Sequence, residues 1–361
     1  MFIITDVVKL FIPAALSFAL GIGLAVMLSH YLYKYKLWKK KAGKIDLSGN
    51  ATPIFNALHK EKEVGTPRMG GIIVWLAPLL TIFLLSVLAT FFPAIASTKL
   101  ELLSRNQTWL PLFALLLGGI VGLIDDAFEI MGRPGRLSGG LSLKKRLLIV
   151  GSIGLAAGAW FYVKLGVTAI TIPVSLGGTL TLGVFFIPFF ALVVMALYSG
   201  GIIDGLDGLA GGVFASMFAA YAAIAFAQAQ INLAAFCLAI VGAILAFLWF
   251  NIPPARFYMS ETGSMALTIT LAIVAFLTDA LTEGRGIIVL PIIAAPLFAT
   301  SFSVIIQLLS KKFRGGKKIF LAAPMHHHFE AIGWPAYKVT MRYWIISVVL
   351  SIVGVILALV Q

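Results

Sequence analysis

Apolar runs of 17 to 24 residues recur along the whole chain, and no other feature limits its fold so strongly. About 20 such residues, wound as a helix, cross the ~30 Å hydrocarbon layer of a membrane. Ten runs stand between polar or Gly/Pro-rich breaks, at about residues 8–30, 70–92, 109–128, 147–163, 184–200, 209–228, 232–250, 264–281, 287–309 and 342–360. Of the 361 residues, 60% are hydrophobic and 11% charged, whereas a soluble domain carries roughly 25% charged residues. No soluble core absorbs so much apolar surface. The sequence therefore predicts an all-α polytopic membrane protein of about ten transmembrane helices, a single integral membrane domain over residues 1–361. The first run has neither a basic leader nor a small-residue cleavage site, and reads as a retained span.

Lys and Arg set the orientation, because basic loops stay cytoplasmic. Residues 31–68 hold nine of them, 129–147 five, 251–263 one and 309–342 seven, which places 22 of the 27 on one side of a ten-span chain. Lys9, Lys99, Arg105, Lys164 and Arg285 fall on the other. Both termini are expected outside the cytoplasm, with cytoplasmic loops at about 31–68, 129–147, 201–208, 251–263 and 310–341. A net charge of +13 would suggest nucleic acid in a soluble chain; here it reports orientation, and nucleic acid is not expected as a partner. On the outer side, Thr168–Gly183 alternates β-branched residues around Gly177 and Gly178, the pattern of a small β-hairpin. Cys237, the single cysteine, offers neither a disulfide nor a thiolate metal site. The chain has no convincing internal repeat, which counts against transporter folds built from repeats.

Five segments on the cytoplasmic side carry candidate chemistry. GLIDDAFEI ends the third run with Asp125 and Asp126 side by side. A carboxylate at the centre of a membrane helix costs about 2.5–3.5 kcal/mol, and less near its end, so a functional reading competes with a solvated helix end. Adjacent carboxylates also suit Mg2+, a hard cation that takes oxygen ligands and bridges them to phosphate. GGIIDGLDGLAGG sets Asp204 and Asp207 three residues apart, facing the same way if the segment makes a helical turn. Its glycines let backbone approach a ligand; a helix break capped by Asp204 is the plainer alternative.

WFNIPPARFYMSETGS brings Asn251, Arg256 and Glu261 into an apolar setting. Pro253 and Pro254 stop one helix, and Ser260 or Glu261 begins the next, whose N-terminus favours an anion. KKFRGGKKIFLAAPMHHHFEAIGW joins a basic run to His326, His327, His328 and Glu330. In an extended segment His326 and His328 face one way and His327 the other. The remaining donors are carboxylates, which suit Mg2+ better than zinc. Finally, GTPRMGG opens the second run with Thr66 and Pro67. An acidic cluster, Gly-rich turns, a histidine loop and a basic rim at headgroup level describe a site for two phosphorylated substrates, one soluble and one a lipid.

In these strings, and in their order from TPRMGG through DD and DGLDGLAGG to PMHHHFE, the chain resembles the phospho-N-acetylmuramoyl-pentapeptide-transferase branch of the polyprenyl-phosphate N-acetylhexosamine-1-phosphate transferases. The resemblance spans nearly the whole length. It implies ten spans with both termini outside, and a Mg2+-dependent enzyme of the bacterial inner membrane whose active site faces the cytoplasm. It further implies transfer of phospho-N-acetylmuramoyl-pentapeptide from its UDP carrier to undecaprenyl phosphate, forming lipid I and UMP. By position it implies catalytic roles for Asp125, Asp126, Asp207 and His326. Substrate contacts would fall to Thr66, Asp204, Asn251, His327 and His328, and Mg2+ ligation to Glu261 and Asp207. The partners implied are a UDP-linked amino sugar, undecaprenyl phosphate and the lipid bilayer, with a homodimer left open.

The chain departs from that family's pattern at several points. DDxxK reads DDAFE, with Glu129 where the Lys stands; TPTMGG reads TPRMGG, with Arg68; Gly201 replaces an Asn; and Ser260 with Glu261 replaces a Gly–Asp pair. No Lys immediately precedes Gly65. In the expected mechanism Asp125 removes the proton of the polyprenyl phosphate, which attacks the β-phosphorus directly; a covalent aspartyl phosphate is the other route. A sister transferase using UDP-N-acetylglucosamine or another UDP-amino sugar, and a catalytically diverged or transport or lipid-binding membrane protein, are the alternative functions.

Overall fold

Every one of the ten apolar runs is helical. The computed structural model describes residues 4–40, 64–92, 101–103, 108–132, 140–171, 178–280 and 285–360. The first four helices are α1 (Ile4–Lys34), α2 (Ile72–Phe91), α3 (Trp109–Met131) and α4 (Leu143–Leu165). After a hairpin of β1 (Ala169–Thr171) and β2 (Thr179–Thr181) come α5 (Phe186–Gly200), α6 (Leu209–Ala227), α7 (Ile231–Asn251) and α8 (Ser260–Ala280). The chain closes with α9 (Gly286–Ile293), α10 (Ala295–Phe313), the short α11 (Met325–Ala331) and α12 (Ala336–Leu359). Among the described residues nine helices are long and apolar enough to cross a membrane, and α9 with α10 makes a tenth span bent by 62°. The run at 287–309 is thus broken rather than continuous. Pro296, in the first turn of α10, has no N–H to donate back across the break.

The bundle is organised around α8, buried along almost its whole length. Two of its interior hydroxyls bond within the helix: Thr268 Oγ1 donates to the Ser264 carbonyl at 2.7 Å, and Thr278 Oγ1 to that of Ala275 at 2.9 Å. α3 and α5 pack on α8, while α1 lies along α7 and α2. The outward faces carry exposed large apolar side chains such as Phe83, Val163, Trp249 and Ile345. An apolar surface on every side matches lipid as solvent. The protein is a multi-pass membrane protein.

The two ends of the bundle differ. At one end sits the predicted hairpin, antiparallel with Ile170 opposite Leu180; its turn, residues 172–177, lies outside the described residues. Asp279, near the C-terminus of α8, accepts the Thr171 N–H at 3.3 Å and fixes the hairpin there. The Arg285 guanidinium donates to the Val360 carbonyl, which puts the end of α12 at the same place. At the other end the Tyr33 hydroxyl, on the last turn of α1, donates to the Arg256 carbonyl at 2.9 Å. The start of α1 and the end of α12 therefore lie at the hairpin end, on one side as the orientation argument requires. Glu261 and Asp279, at opposite ends of α8, are about 27 Å apart along the axis at 1.5 Å per residue.

Candidate active site

A close helix contact brings the acidic pair to the start of α8. A Cβ on Gly122 of α3 would stand 2.2 Å from the Glu261 carbonyl oxygen, and one on Gly118, a turn earlier, 2.9 Å from Ala266 Cα. Small residues at this spacing let membrane helices approach backbone to backbone. One turn beyond Gly122, buried Asp126 accepts the Glu261 N–H at 3.3 Å, the Thr262 N–H at 2.9 Å and the Thr262 hydroxyl at 2.5 Å. Asp126 thereby satisfies the open donors at the N-terminus of α8, where a negative charge is also favoured by the helix dipole.

Asp125 faces a different partner. Arg146, in the first turn of α4, lies between it and Glu261: Nη1 is 2.6 Å from Glu261 Oε1, and Nε donates to Asp125 Oδ1 at 3.1 Å. The Leu141 N–H donates to the same Oδ1 at 2.6 Å. Asp125 Oδ2 lies 2.8 Å from Arg146 Nη2 but out of line for a hydrogen bond. The Tyr198 hydroxyl of α5 stands 3.4 Å from Glu261 Oε2. Two fully or largely buried carboxylates thus share one guanidinium, whose planar fork suits carboxylate and phosphate alike.

The 201–208 and 252–260 segments are stitched together beside this cluster. Gly201–Ile203 forms a single 3-10 turn followed by a loop, so the predicted helical turn is only partly realised. Asp204 and Asp207 nevertheless face the same neighbour, accepting the Ser260 N–H at 2.7 Å and the Ala255 N–H at 3.1 Å. Buried Asn251 accepts the Gly208 N–H at 2.9 Å and donates to the Phe257 carbonyl at 2.8 Å. From α12, the Thr340 hydroxyl donates to the Asp207 carbonyl and the Trp344 indole N–H to that of Gly208.

The histidine segment is not extended as expected. It forms the helix α11, in which His326 and His327 are both buried. His326 lies over the Gly205 backbone: a Cβ there would stand 2.3 Å from its Nε2, so only glycine admits the ring. His327 Nδ1 is 2.8 Å from Glu330 Oε2, a contact one helical turn apart. His328 turns back, its Nδ1 accepting the Leu321 N–H at 3.2 Å. Helix geometry separates adjacent side chains by about 100°, which is why His326 and His327 share the buried side.

The entrance to α2 closes the site. The Tyr258 N–H donates to the Pro67 carbonyl at 2.9 Å and the Gly70 N–H to that of Tyr258 at 2.9 Å. Thr66 stands half-buried next to Pro67. Arg68 pairs with Glu129, and Lys39 Nζ reaches the other Glu129 oxygen at 3.1 Å. All five predicted segments therefore meet at one end of the bundle. Arg146, Tyr198, Thr262, Thr340 and Trp344 also belong to the site without having been singled out in the sequence. Arg146 left one signal: a cation just ahead of an apolar run, beside two lysines that stay exposed while it turns inward.

The acidic donors are all oxygen, which suits Mg2+ rather than zinc. Among the described residues no group of three His, Cys, Asp or Glu side chains can hold an ion by itself, so Asp207 and Glu261 do not form part of such a cage. Mg2+ commonly takes one or two carboxylates together with substrate phosphates and water. Glu261 Oε2, which accepts from the Tyr198 hydroxyl only at 3.4 Å, fits an ion that arrives with a diphosphate.

Comparison with known proteins agrees with this geometry. Residues 108–279, from α3 to the end of α8, match Glycosyl transferase family 4. The phospho-N-acetylmuramoyl-pentapeptide-transferase of Geobacillus sp. (strain WCH70) is 35% identical over 301 residues, 82% of this chain and 84% of that protein. That of Bacillus cytotoxicus is 31% identical over 353 residues, 96% of this chain and 97% of its own length. That of Bartonella quintana is 35% identical over 311 residues, covering 81% and 80%. With the acidic pair, the two stitched loops and the histidine helix gathered at one end of a ten-span bundle, the chain belongs to the phospho-N-acetylmuramoyl-pentapeptide-transferase family.

Proposed function

We propose that the chain transfers phospho-N-acetylmuramoyl-pentapeptide from its UDP carrier to undecaprenyl phosphate, giving lipid I and UMP, at the cytoplasmic face of a bacterial inner membrane. The observation that carries this reading is the Asp125–Arg146–Glu261 bridge, a cation held between two carboxylates where the spans end. That depth is where a lipid phosphate, anchored by its chain, meets a soluble nucleotide. Phosphoryl transfer depends chiefly on positioning and charge stabilisation, both of which this cluster offers. Arg146 has the fork geometry to turn from carboxylate to donor phosphate without leaving the site. Asp125 accepts the acceptor's remaining proton at Oδ2, the oxygen without a hydrogen bond, and the lipid phosphate then attacks the β-phosphorus directly. Asp204, Asp207 and Asn251 hold the turn that receives the nucleotide, with His326 packed behind it. Glu261 and Asp207, on adjoining segments, are the residues to hold Mg2+, which when bound neutralises charge on the diphosphate and the leaving UMP.

The test is direct. Purified protein in lipid nanodiscs, given Mg2+ and undecaprenyl phosphate, is expected to release UMP from the UDP-linked muramoyl-pentapeptide. UMP from UDP-N-acetylglucosamine alone would reassign the donor, and no UMP from any UDP sugar would overturn the enzymatic reading.

A further inference from the structure

Glu129 adds a third carboxylate one turn from Asp125 and Asp126, beside the place where a diphosphate must bind. An uncompensated carboxylate there would repel the donor. The structure compensates it twice. Oε2 pairs with the Arg68 guanidinium and Oε1 with the Lys39 ammonium at 3.1 Å, while the three side chains are only 13 to 18% exposed. Both oxygens are therefore committed, one to each cation, and the trio carries a net charge of +1.

The two cations come from separate elements that are themselves fixed. Lys39 lies on the extension of α1, and the Arg68 N–H donates to the Leu37 carbonyl of that extension at 2.9 Å. Arg68 also follows Pro67, whose carbonyl holds Tyr258. The Arg68 guanidinium lies 4.0 Å from Asp126 Oδ1, the same oxygen that accepts the Glu261 N–H.

We propose that Glu129 is a positioning residue: it holds Arg68 and Lys39 as the cationic wall of the donor diphosphate site. The proposal rests on the transferase reading above. It assigns one function to two residues that look unrelated in sequence, since Arg68 and Glu129 are 61 positions apart and touch only in the folded chain. An anion that grips two cations fixes their direction without neutralising them all, so the wall keeps charge to offer the incoming phosphates.

The experiment is steady-state kinetics in nanodiscs for Glu129→Gln, Glu129→Asp, Arg68→Gln, the double Arg68→Gln/Glu129→Gln and the exchanged Arg68→Glu/Glu129→Arg, each checked for an unchanged melting profile. Glu129→Gln is expected to raise the KM for the UDP donor about tenfold, the size of one lost charge-assisted contact, with kcat and the KM for the lipid acceptor within about twofold. Arg68→Gln is expected to match it, the double variant to be no worse than Arg68→Gln, and Glu129→Asp to recover most of the affinity, because paired residues share one loss. Partial recovery in the exchanged variant adds support. Glu129→Gln with an unaltered donor KM, equal losses in kcat and both KM values, or losses that add in the double variant would overturn the proposal. Wild-type protein that releases no UMP would instead overturn the transferase reading and remove this proposal with it.

Discussion

Replacing Asp125 with Asn is expected to lower kcat about 1,000-fold, within the range by which a positioned general base accelerates a reaction, while donor binding stays near that of the parent. The variant keeps the shape of the side chain and an oxygen for the Leu141 N–H, which now bonds Oδ1 at 2.6 Å. Arg146 keeps Glu261 as a partner at 2.6 Å, so the cluster loses a charge without losing its scaffold. What disappears is the basicity of Oδ2, the oxygen without a hydrogen bond. Single-turnover rates with preloaded donor separate this from a binding defect. Full activity in Asp125→Asn would remove the proposed base, and a loss confined to donor affinity would make Asp125 a binding group.

Gly122→Ala is expected to cost about 3 kcal/mol of stability, at the upper end of ordinary overpacking because the obstacle is backbone and cannot rotate away. The new methyl would stand 2.2 Å from the Glu261 carbonyl oxygen and 2.8 Å from Thr262 Cα. Relief requires α3 and α8 to separate, and the first bonds to go are those from Asp126 to Glu261 and Thr262. Activity should fall at least about 100-fold, since a displacement of 1 Å at a reacting centre has that effect. Gly23→Ala supplies the control. A Cβ on Gly23 meets nothing within 4 Å, and the change should stay within about 0.5 kcal/mol. Parental stability and turnover in Gly122→Ala would mean that α3 and α8 do not meet here.

Why the sequence revealed the bundle but blurred the site follows from where the polar residues fall. Hydropathy locates the apolar middle of each span, which lipid dictates residue by residue. It ends each helix where charges begin, although a backbone helix does not stop there. α4 starts at Leu143 rather than about 147, α8 at Ser260 rather than about 264 and α12 at Ala336 rather than about 342. Those protruding turns are where Arg146, Glu261 and Thr340 reside. Part of the site is thus built from residues that hydropathy leaves outside the spans.

The acidic motifs were legible because a carboxylate at the end of a membrane helix needs a reason. Their division of labour was not. Asp125 and Asp126 are neighbours in sequence, yet a helix turns them about 100° apart, toward Arg146 in one case and the start of α8 in the other. Likewise, Arg68 and Glu129 each stand out alone as a departure from a motif, and only folding makes them a pair. The histidines were visible as a cluster, but the seating of His326 over the turn at Gly205 is a contact without local signal.

The central claim is that the end of the bundle containing Asp125, Arg146 and Glu261 is where donor and lipid acceptor meet. The most direct measurement is a cryo-electron microscopy structure of the protein in nanodiscs with Mg2+ and the UDP-linked muramoyl-pentapeptide. The diphosphate is predicted in contact with Arg146, within reach of Asp125 and Glu261, with its nucleoside toward the Asp204–Gly208 turn. Density for the donor at the hairpin end, or anywhere that leaves the Asp125–Arg146–Glu261 bridge untouched, would contradict it.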